Sequence, residues 1–170
     1  MSSVAPVLPD GFVVIVKREC ATCQMIEPVL QDIAGLTVYT QDDPAFPESV
    51  SAIHDSDLAV SWHNNIDTVP TLIKVVNGKE VDRTFGWLAS DWQRITEIPE
   101  LGVDLPAMRP GCGSMSVDPD IVDKLRAKFT DSPVIARTVE FSEAEDEFEA
   151  MYARGWTDGF PVIPPTRERV

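Results

Sequence analysis

Two cysteines near the start of the chain stand at a spacing that supports thiol–disulfide chemistry. They are Cys20 and Cys23, separated by Ala21 and Thr22 in a C-x-x-C arrangement. The thiolate is the nucleophile of disulfide exchange, and cysteines in such motifs can have a pKa of roughly 3.5–7.5, against about 8.5 for a free cysteine. A C-x-x-C pair near a βαβ pattern is typical of a redox site.

A buried strand and a helix are expected to position these cysteines. The run of apolar, mostly β-branched residues at 12–16 predicts a strand, and apolar residues recurring at helical spacing over 21–34 predict a helix. The motif would then lie at the N-terminus of the helix. There, unpaired N–H groups and the positive end of the helix dipole would stabilise a thiolate at Cys20.

The next elements predict an α/β domain. Strand patterns occur at 36–40, 68–76 and 80–85, and a helix is expected at 91–97, whereas residues 45–66 allow one helix or two short ones. The order βαβα followed by ββα predicts a mixed sheet with helices on both faces.

Residues 99–170 are expected to form an α-rich C-terminal extension to a domain of residues 1–98. The extension begins with a Pro-punctuated linker, continues with two predicted helices and a predicted strand, and ends in a Pro-rich tail. The helices are predicted at about 119–129 and 143–154, the second opened by a capping box at Ser142, and the strand at 134–141.

Residues 1–98 resemble the thioredoxin family at three places. The segment 20–34 follows the family's active-site helix, including the proline at position 28; residues 67–72 resemble its cis-proline loop; and residues 77–81, followed by Gly86, resemble its terminal hairpin. The resemblance implies a thioredoxin-like fold, with a mixed sheet flanked by helices.

The resemblance also implies site residues and an activity. Cys20 would attack a substrate disulfide and Cys23 would release the product, while Val69 and a cis Pro70 would dock an extended substrate strand. The activity implied is that of a thiol–disulfide oxidoreductase. It would act on a disulfide-bearing protein or a small thiol, receive electrons from an unidentified donor, and require no cofactor. The identity of the substrate and the direction of electron flow stay open.

The chain departs from the family around the motif. Glu19 stands where the family has tryptophan, Ala21-Thr22 replace Gly-Pro, and Val14 occupies the position of a buried aspartate that handles protons for the second thiol. Glu19 should raise the pKa of Cys20, while Lys17 and Arg18 should lower it. The net direction of the shift stays open.

Cys112 lies between two glycines in the extension and has two interpretations. It is either a third redox thiol that pairs with Cys20 or relays electrons, or a loop cysteine that has no role or only packs the extension onto the domain. A zinc site built from the three cysteines and either His54 or His63 is disfavoured, since no second C-x-x-C or H-x-x-x-H accompanies the first. We therefore expect no metal.

Composition limits the partners and the compartment. The formal charge of −14 over 170 residues argues against nucleic acid and anionic membranes, because both attract positive charge. No run reaches the length of about 18 apolar residues that a membrane span needs. The first residues lack the pattern of a signal peptide, so a cytoplasmic protein is expected.

A second function comes from the extension. Trp156 and Phe160 in a Pro-rich tail either pack on the domain or bind a partner. Residues 155–170 resemble, over one short stretch, the opening segment of the bacterial UGSC-motif family. The alternative is therefore a thioredoxin-fold accessory subunit or binding module that docks a larger enzyme through residues 99–170.

Overall fold

The fold was analysed in a computed structural model, which describes residues 6–130 and 146–160. The strands in chain order are β1 Gly11–Val16, β2 Leu36–Thr40, β3 Ala52–His54, β4 Thr68–Val69, β5 Thr71–Val76, β6 Lys79–Phe85, β7 Trp87–Leu88, β8 Met108–Arg109 and β9 Cys112–Gly113. The helices are α1 Ala21–Leu30, α2 Ala59–His63, α3 Ala89–Thr96, α4 Val122–Phe129 and α5 Glu147–Ala153, with a 3₁₀ turn at Met115–Val117.

A mixed sheet of five strands forms the centre, in the order β3-β2-β1-β5-β6. β1 runs parallel to β2 and antiparallel to β5, so that Val14 pairs with both Val38 and Leu72. The side chains of residues 13–16 are fully buried, because this central strand is covered on both faces. The predicted α/β class, a mixed sheet flanked by helices, is confirmed and is compatible with a thioredoxin-like fold.

Helix α1 is shorter than predicted. It ends at Leu30 rather than residue 34, and it contains Pro28, which has no N–H to donate along the helix. Asp32 and Ile33 then form hydrogen bonds to the carbonyls three residues earlier, at 3.2 and 3.3 Å. These tighter turns carry the chain to Gly35, which takes a positive φ of 70°.

Residues 45–66 contain less helix than predicted. Ala52–His54 form the edge strand β3, which pairs in parallel with β2, and only Ala59–His63 are helical. The strand is not apparent from its pattern, because Ile53 is exposed and Ala52 is only partly buried against the core.

The start of the extension packs on the domain. Leu101 is buried in the core, and the Trp87 indole donates to the Pro106 carbonyl at 2.7 Å. Trp87 also packs on Trp92, with ring centroids 5.2 Å apart. A Cβ at Gly102 would lie 2.5 Å from the Trp87 ring, so this close approach requires glycine.

Helix α4 lies against α2. The Phe129 ring packs on the Trp62 and His63 rings, with centroid separations of 6.3 and 5.0 Å. Lys128 forms an ion pair with Asp57 at 3.2 Å. The second helix of the extension, α5, begins at Glu147, because Asp146 caps it by accepting from the backbone N–H groups of residues 148 and 149.

Four predictions fall wholly or partly outside the described residues: the strand at 134–141, the capping box at Ser142, the start of the helix at 143–154, and the tail after residue 160. Over residues 6–130 and 146–160, the helices are all too short or too polar to cross a membrane.

Candidate thiol site

Cys20 is the N-cap residue of α1. Its backbone is extended, with φ of −135° and ψ of 112°, and its sulfur accepts a hydrogen bond from the Cys23 backbone N–H at 3.4 Å. The Asp42 carboxylate fixes the preceding turn by accepting from the N–H groups of Arg18 and Glu19, at 2.7 and 2.9 Å. The motif therefore lies at the helix N-terminus, as predicted.

The loop at residues 69 and 70 faces the cysteines. The Val69–Pro70 peptide bond is cis, which confirms the sequence prediction. The Cys20 sulfur lies 3.5 Å from the Val69 carbonyl oxygen, to which Cys20 donates when its thiol is protonated, and Val69 is fully buried. Val69 therefore touches the sulfur expected to react, and Pro70 follows directly in the chain.

Cys112 is brought to the same loop. Strand β9 pairs antiparallel with β4, so that Cys112 lies opposite Val69 and Gly113 opposite Thr68. The Cys112 thiol lies near enough to the Cys20 sulfur to lower the pKa of Cys20. All three cysteines are free and lie together.

Two glycines allow this approach. A Cβ at Gly111 would lie 2.4 Å from the Thr68 Cγ2 and 2.6 Å from the Val69 carbonyl oxygen. A Cβ at Gly86, whose φ is +65°, would lie 2.7 Å from the Gly111 nitrogen. Residues with side chains at these positions would push β9 away from β4.

Residues 110–116, here called the Cys112 strap, are held by side chains on both sides of the cysteine. The Thr22 hydroxyl, inside the C-x-x-C motif, donates to the Pro110 carbonyl at 2.6 Å. The Lys17 ammonium donates to the Gly113 carbonyl at 2.7 Å. The strap is thus fastened directly to the segment that carries Cys20.

A buried polar network anchors the end of the strap. The Gln41 amide donates to the hydroxyls of Ser61 and Ser114, at 2.8 and 2.7 Å, and accepts from the Met115 N–H at 3.0 Å. Ser61 in turn donates to the buried Asp55 carboxylate at 2.7 Å. Because unpaired polar groups are costly in a protein interior, such a network fixes the strap in one position.

Hydrogen bonds favour the thiolate of Cys20. The pKa of Cys20 is lowered to about 5, first by the hydrogen bond from the Cys23 thiol, and also by those from the Cys112 thiol and the N–H groups of Cys23 and Thr22. Burial acts in the opposite direction. The pKa of Cys23 is raised, first by burial and then by its hydrogen bond to Cys20. The arrangement thus pairs a thiolate at Cys20 with neutral thiols at the other two cysteines.

Neighbouring side-chain charges are not the main cause of this lowering. Glu19 is exposed, and Arg18 forms ion pairs with Asp43 and Glu48, at 2.5 and 3.5 Å. The direction of the Cys20 pKa shift, which the sequence left open, is therefore determined by hydrogen bonds, two of which come from thiols.

The pKa of Cys112 is raised, first by burial and then by its hydrogen bond to Cys20 and the charge there. The N–H groups of Thr22 and Ala21 act in the opposite direction. Cys112 therefore serves as a donor as long as Cys20 is ionised.

The other candidates lie elsewhere. His54 is exposed on the edge strand β3, and His63 packs against Phe129. In the part of the chain described here, no group of three or more cysteine, histidine, aspartate or glutamate side chains could hold a metal ion. Val14 is fully buried between Val38 and Leu72 in neighbouring strands, so the position supplies no proton-transferring carboxylate.

Sequence reasoning missed the residues that hold the strap. Neither the Thr22 hydroxyl nor the Gln41 amide was identified as a contact to the extension, although these residues contact it directly. The available signal was the pair of glycines beside Cys112. It suggested that Cys112 approaches another group closely, but it did not identify that group.

Comparisons with known proteins do not assign the chain to a family. No protein-family model matches it, and no curated protein is significantly similar to it.

Proposed function

We propose that this chain is a thiol–disulfide oxidoreductase of thioredoxin-like type, which cycles a disulfide between Cys20 and Cys23. The observation that carries the proposal is the Cys20 sulfur at the N-terminus of α1, with its pKa lowered to about 5. At neutral pH such a cysteine is a thiolate, the species that attacks disulfides.

The second thiol supports the same chemistry. Cys23 lies one helical turn after Cys20, and its thiol donates to the Cys20 sulfur. In the proposed cycle, Cys20 attacks one sulfur of a substrate disulfide, and the other substrate sulfur leaves as a thiolate. Cys23 then loses its proton and attacks Cys20, which releases the second substrate thiolate and leaves the Cys20–Cys23 disulfide.

Access to Cys20 limits the substrates. The Cys20 side chain is 1% exposed, and the Cys112 strap lies on the adjacent loop. A bulky substrate strand paired with Val69 would have to displace β9. A small thiol, or a protein that reaches the site at Cys112, fits this arrangement better, and free thiols fit a reducing compartment such as the cytoplasm.

The test is the reduction of a small disulfide, glutathione disulfide, by the full chain, with dithiothreitol as the electron donor. We expect catalysis by the wild type and only the uncatalysed rate with Cys20→Ser. A Ser90→Ala variant, altered at the exposed start of α3, serves as the matched control and should keep wild-type activity. Full activity of Cys20→Ser would contradict the assignment of the nucleophile.

A second candidate function is a binding module that docks a larger enzyme through the extension. Four large apolar side chains in residues 146–160 are at least half exposed: Phe148, Tyr152, Trp156 and Phe160. Exposed apolar residues in proximity are typical of interaction surfaces. If this is the main function, a full-length Trp156→Ala, Phe160→Ala variant should lose a co-purifying enzyme while keeping thiol reactivity.

A further inference from the structure

Three independent sets of contacts hold Cys112 beside Cys20. Backbone pairing places Cys112 opposite Val69, the Thr22 hydroxyl holds the Pro110 carbonyl before it, and the Gln41 network holds the strap after it. A cysteine that only packed the extension onto the domain would not need to face the reactive sulfur.

The three thiols differ in access. Cys20 and Cys23 are 1% and 0% exposed, whereas Cys112 is only partly buried. The backbone edge of β4, which an extended partner could otherwise use, is already paired with β9. An external thiol or disulfide therefore meets Cys112 before it meets the other two cysteines.

We propose that Cys112 is the third redox thiol of this site and forms an intramolecular disulfide with Cys20, which links the buried pair to external thiols. The proposal rests on the proposed oxidoreductase function and adds the route by which electrons enter or leave.

The step is an exchange within the chain. Starting from the Cys20–Cys23 disulfide, the Cys112 thiolate attacks the Cys20 sulfur. The bond between the sulfurs of Cys112 and Cys20 forms, the bond to Cys23 breaks, and Cys23 leaves as a thiolate that takes up the proton lost by Cys112. No net oxidation occurs. An external thiolate can then attack Cys112, so that a mixed disulfide forms there and Cys20 leaves as its stabilised thiolate.

The electrostatics agree with this order. In the reduced protein, the charge and hydrogen bond of Cys20 raise the pKa of Cys112. When Cys20 is in a disulfide, that charge is absent, while the N–H groups of Thr22 and Ala21 still favour a Cys112 thiolate. Cys112 is thus a better nucleophile when Cys20 is in a disulfide, which is the state from which the exchange begins.

The test uses the full chain with Cys23→Ser, treated with glutathione disulfide and analysed by intact mass and peptide mapping. We expect a Cys20–Cys112 disulfide without bound glutathione, because whichever of the two thiols first takes up glutathione is attacked by the other, which releases the glutathione. The control, which carries both Cys23→Ser and Cys112→Ser, should instead retain glutathione on Cys20.

Two outcomes would overturn the proposal in distinguishable ways. If Cys23→Ser retains glutathione on Cys20 while Cys112 stays free, and the wild type still forms the Cys20–Cys23 disulfide, the third-thiol role is wrong and the oxidoreductase function stands. If the wild type forms no disulfide under the same treatment, both proposals are wrong.

Discussion

Val69 and Cys112 lie opposite each other in an antiparallel pair of short strands, and the Cys20 sulfur lies 3.5 Å from the carbonyl oxygen of the same Val69. One residue of the cis-proline loop thus contacts a cysteine from the motif and a cysteine from the extension. The extension is therefore part of the thiol site.

The reduced protein should contain one cysteine that ionises in the acid range. Because the Cys23 and Cys112 thiols and the helix N–H groups stabilise the Cys20 thiolate, its pKa should be about 5. Thiolate ultraviolet absorbance, followed against pH, should show a transition there that is missing in Cys20→Ser. A single transition near the free-cysteine pKa of about 8.5 would contradict this assignment.

The same shift should affect stability. The pKa of Cys20 in the folded state, about 5, lies below the value of about 8.5 for a free cysteine, so its contribution to stability is complete above about pH 9 and is lost as pH falls through 5. The stability difference between the reduced wild type and Cys20→Ser should therefore shrink as the pH falls across this window. Denaturant unfolding under reducing conditions, repeated across the window, measures the difference, and a difference that grows on acidification would contradict the sign.

Gly111→Ala should displace the strap. Its new Cβ would lie 2.6 Å from the Val69 carbonyl oxygen, which is backbone and cannot rotate away. We expect a loss of about 1–3 kcal/mol in the free energy of unfolding and faster alkylation of Cys20. Gly113→Ala is the matched control, because no atom lies within 4 Å of the Cβ it adds. Equal effects of the two substitutions would show that the close packing at Gly111 does not hold the strap.

Thr22→Val should loosen the strap without changing the shape of the motif. The substitution removes the hydroxyl that donates to the Pro110 carbonyl at 2.6 Å and leaves that acceptor without its partner. The expected cost is about 1–3 kcal/mol of unfolding free energy, together with faster modification of Cys112. Thr22→Ser keeps the hydroxyl and should behave like the wild type. If both variants match the wild type, this hydrogen bond does not position Cys112.

Gln41→Leu should be the most destabilising of these substitutions. Gln41 is 2% exposed and bonds Ser61, Ser114 and the Met115 N–H, so its loss leaves several buried polar groups unpaired, each at a cost of about 1–3 kcal/mol. Gln24→Leu is the control. Gln24 is exposed, with one hydrogen bond to the Arg18 carbonyl, and its replacement should change stability by about 0.5 kcal/mol or less. Denaturant midpoints compare the two, and similar midpoints would contradict the anchoring role of the network.

Much of the fold follows from local patterns in the sequence. The β-branched run at 12–16 predicted a buried strand, and the hairpin at Asn77-Gly78 predicted the pairing of β5 with β6. Apolar residues form a strand-like run before the motif and recur at helical spacing after it. This change predicted the position of Cys20 at a helix N-terminus.

The strap could not be predicted in the same way. Its contacts join residues far apart in the chain, such as Thr22 with Pro110 and Gln41 with Ser114. Hydroxyl and amide side chains are common throughout a sequence, so their types do not reveal long-range partners. The direction of the Cys20 pKa shift was also not predictable, because it depends first on the hydrogen bond from the Cys23 thiol and then on that from Cys112 in the extension.

The most direct test of the central claim is a redox titration of the full chain in glutathione buffers, with peptide mapping of every cysteine at each potential. The account predicts a reversible Cys20–Cys23 disulfide. Because the Cys20 thiolate stabilises the reduced form, its potential should be less negative than the value of about −270 mV typical of thioredoxin. Three cysteines that stay free at every potential would contradict the account.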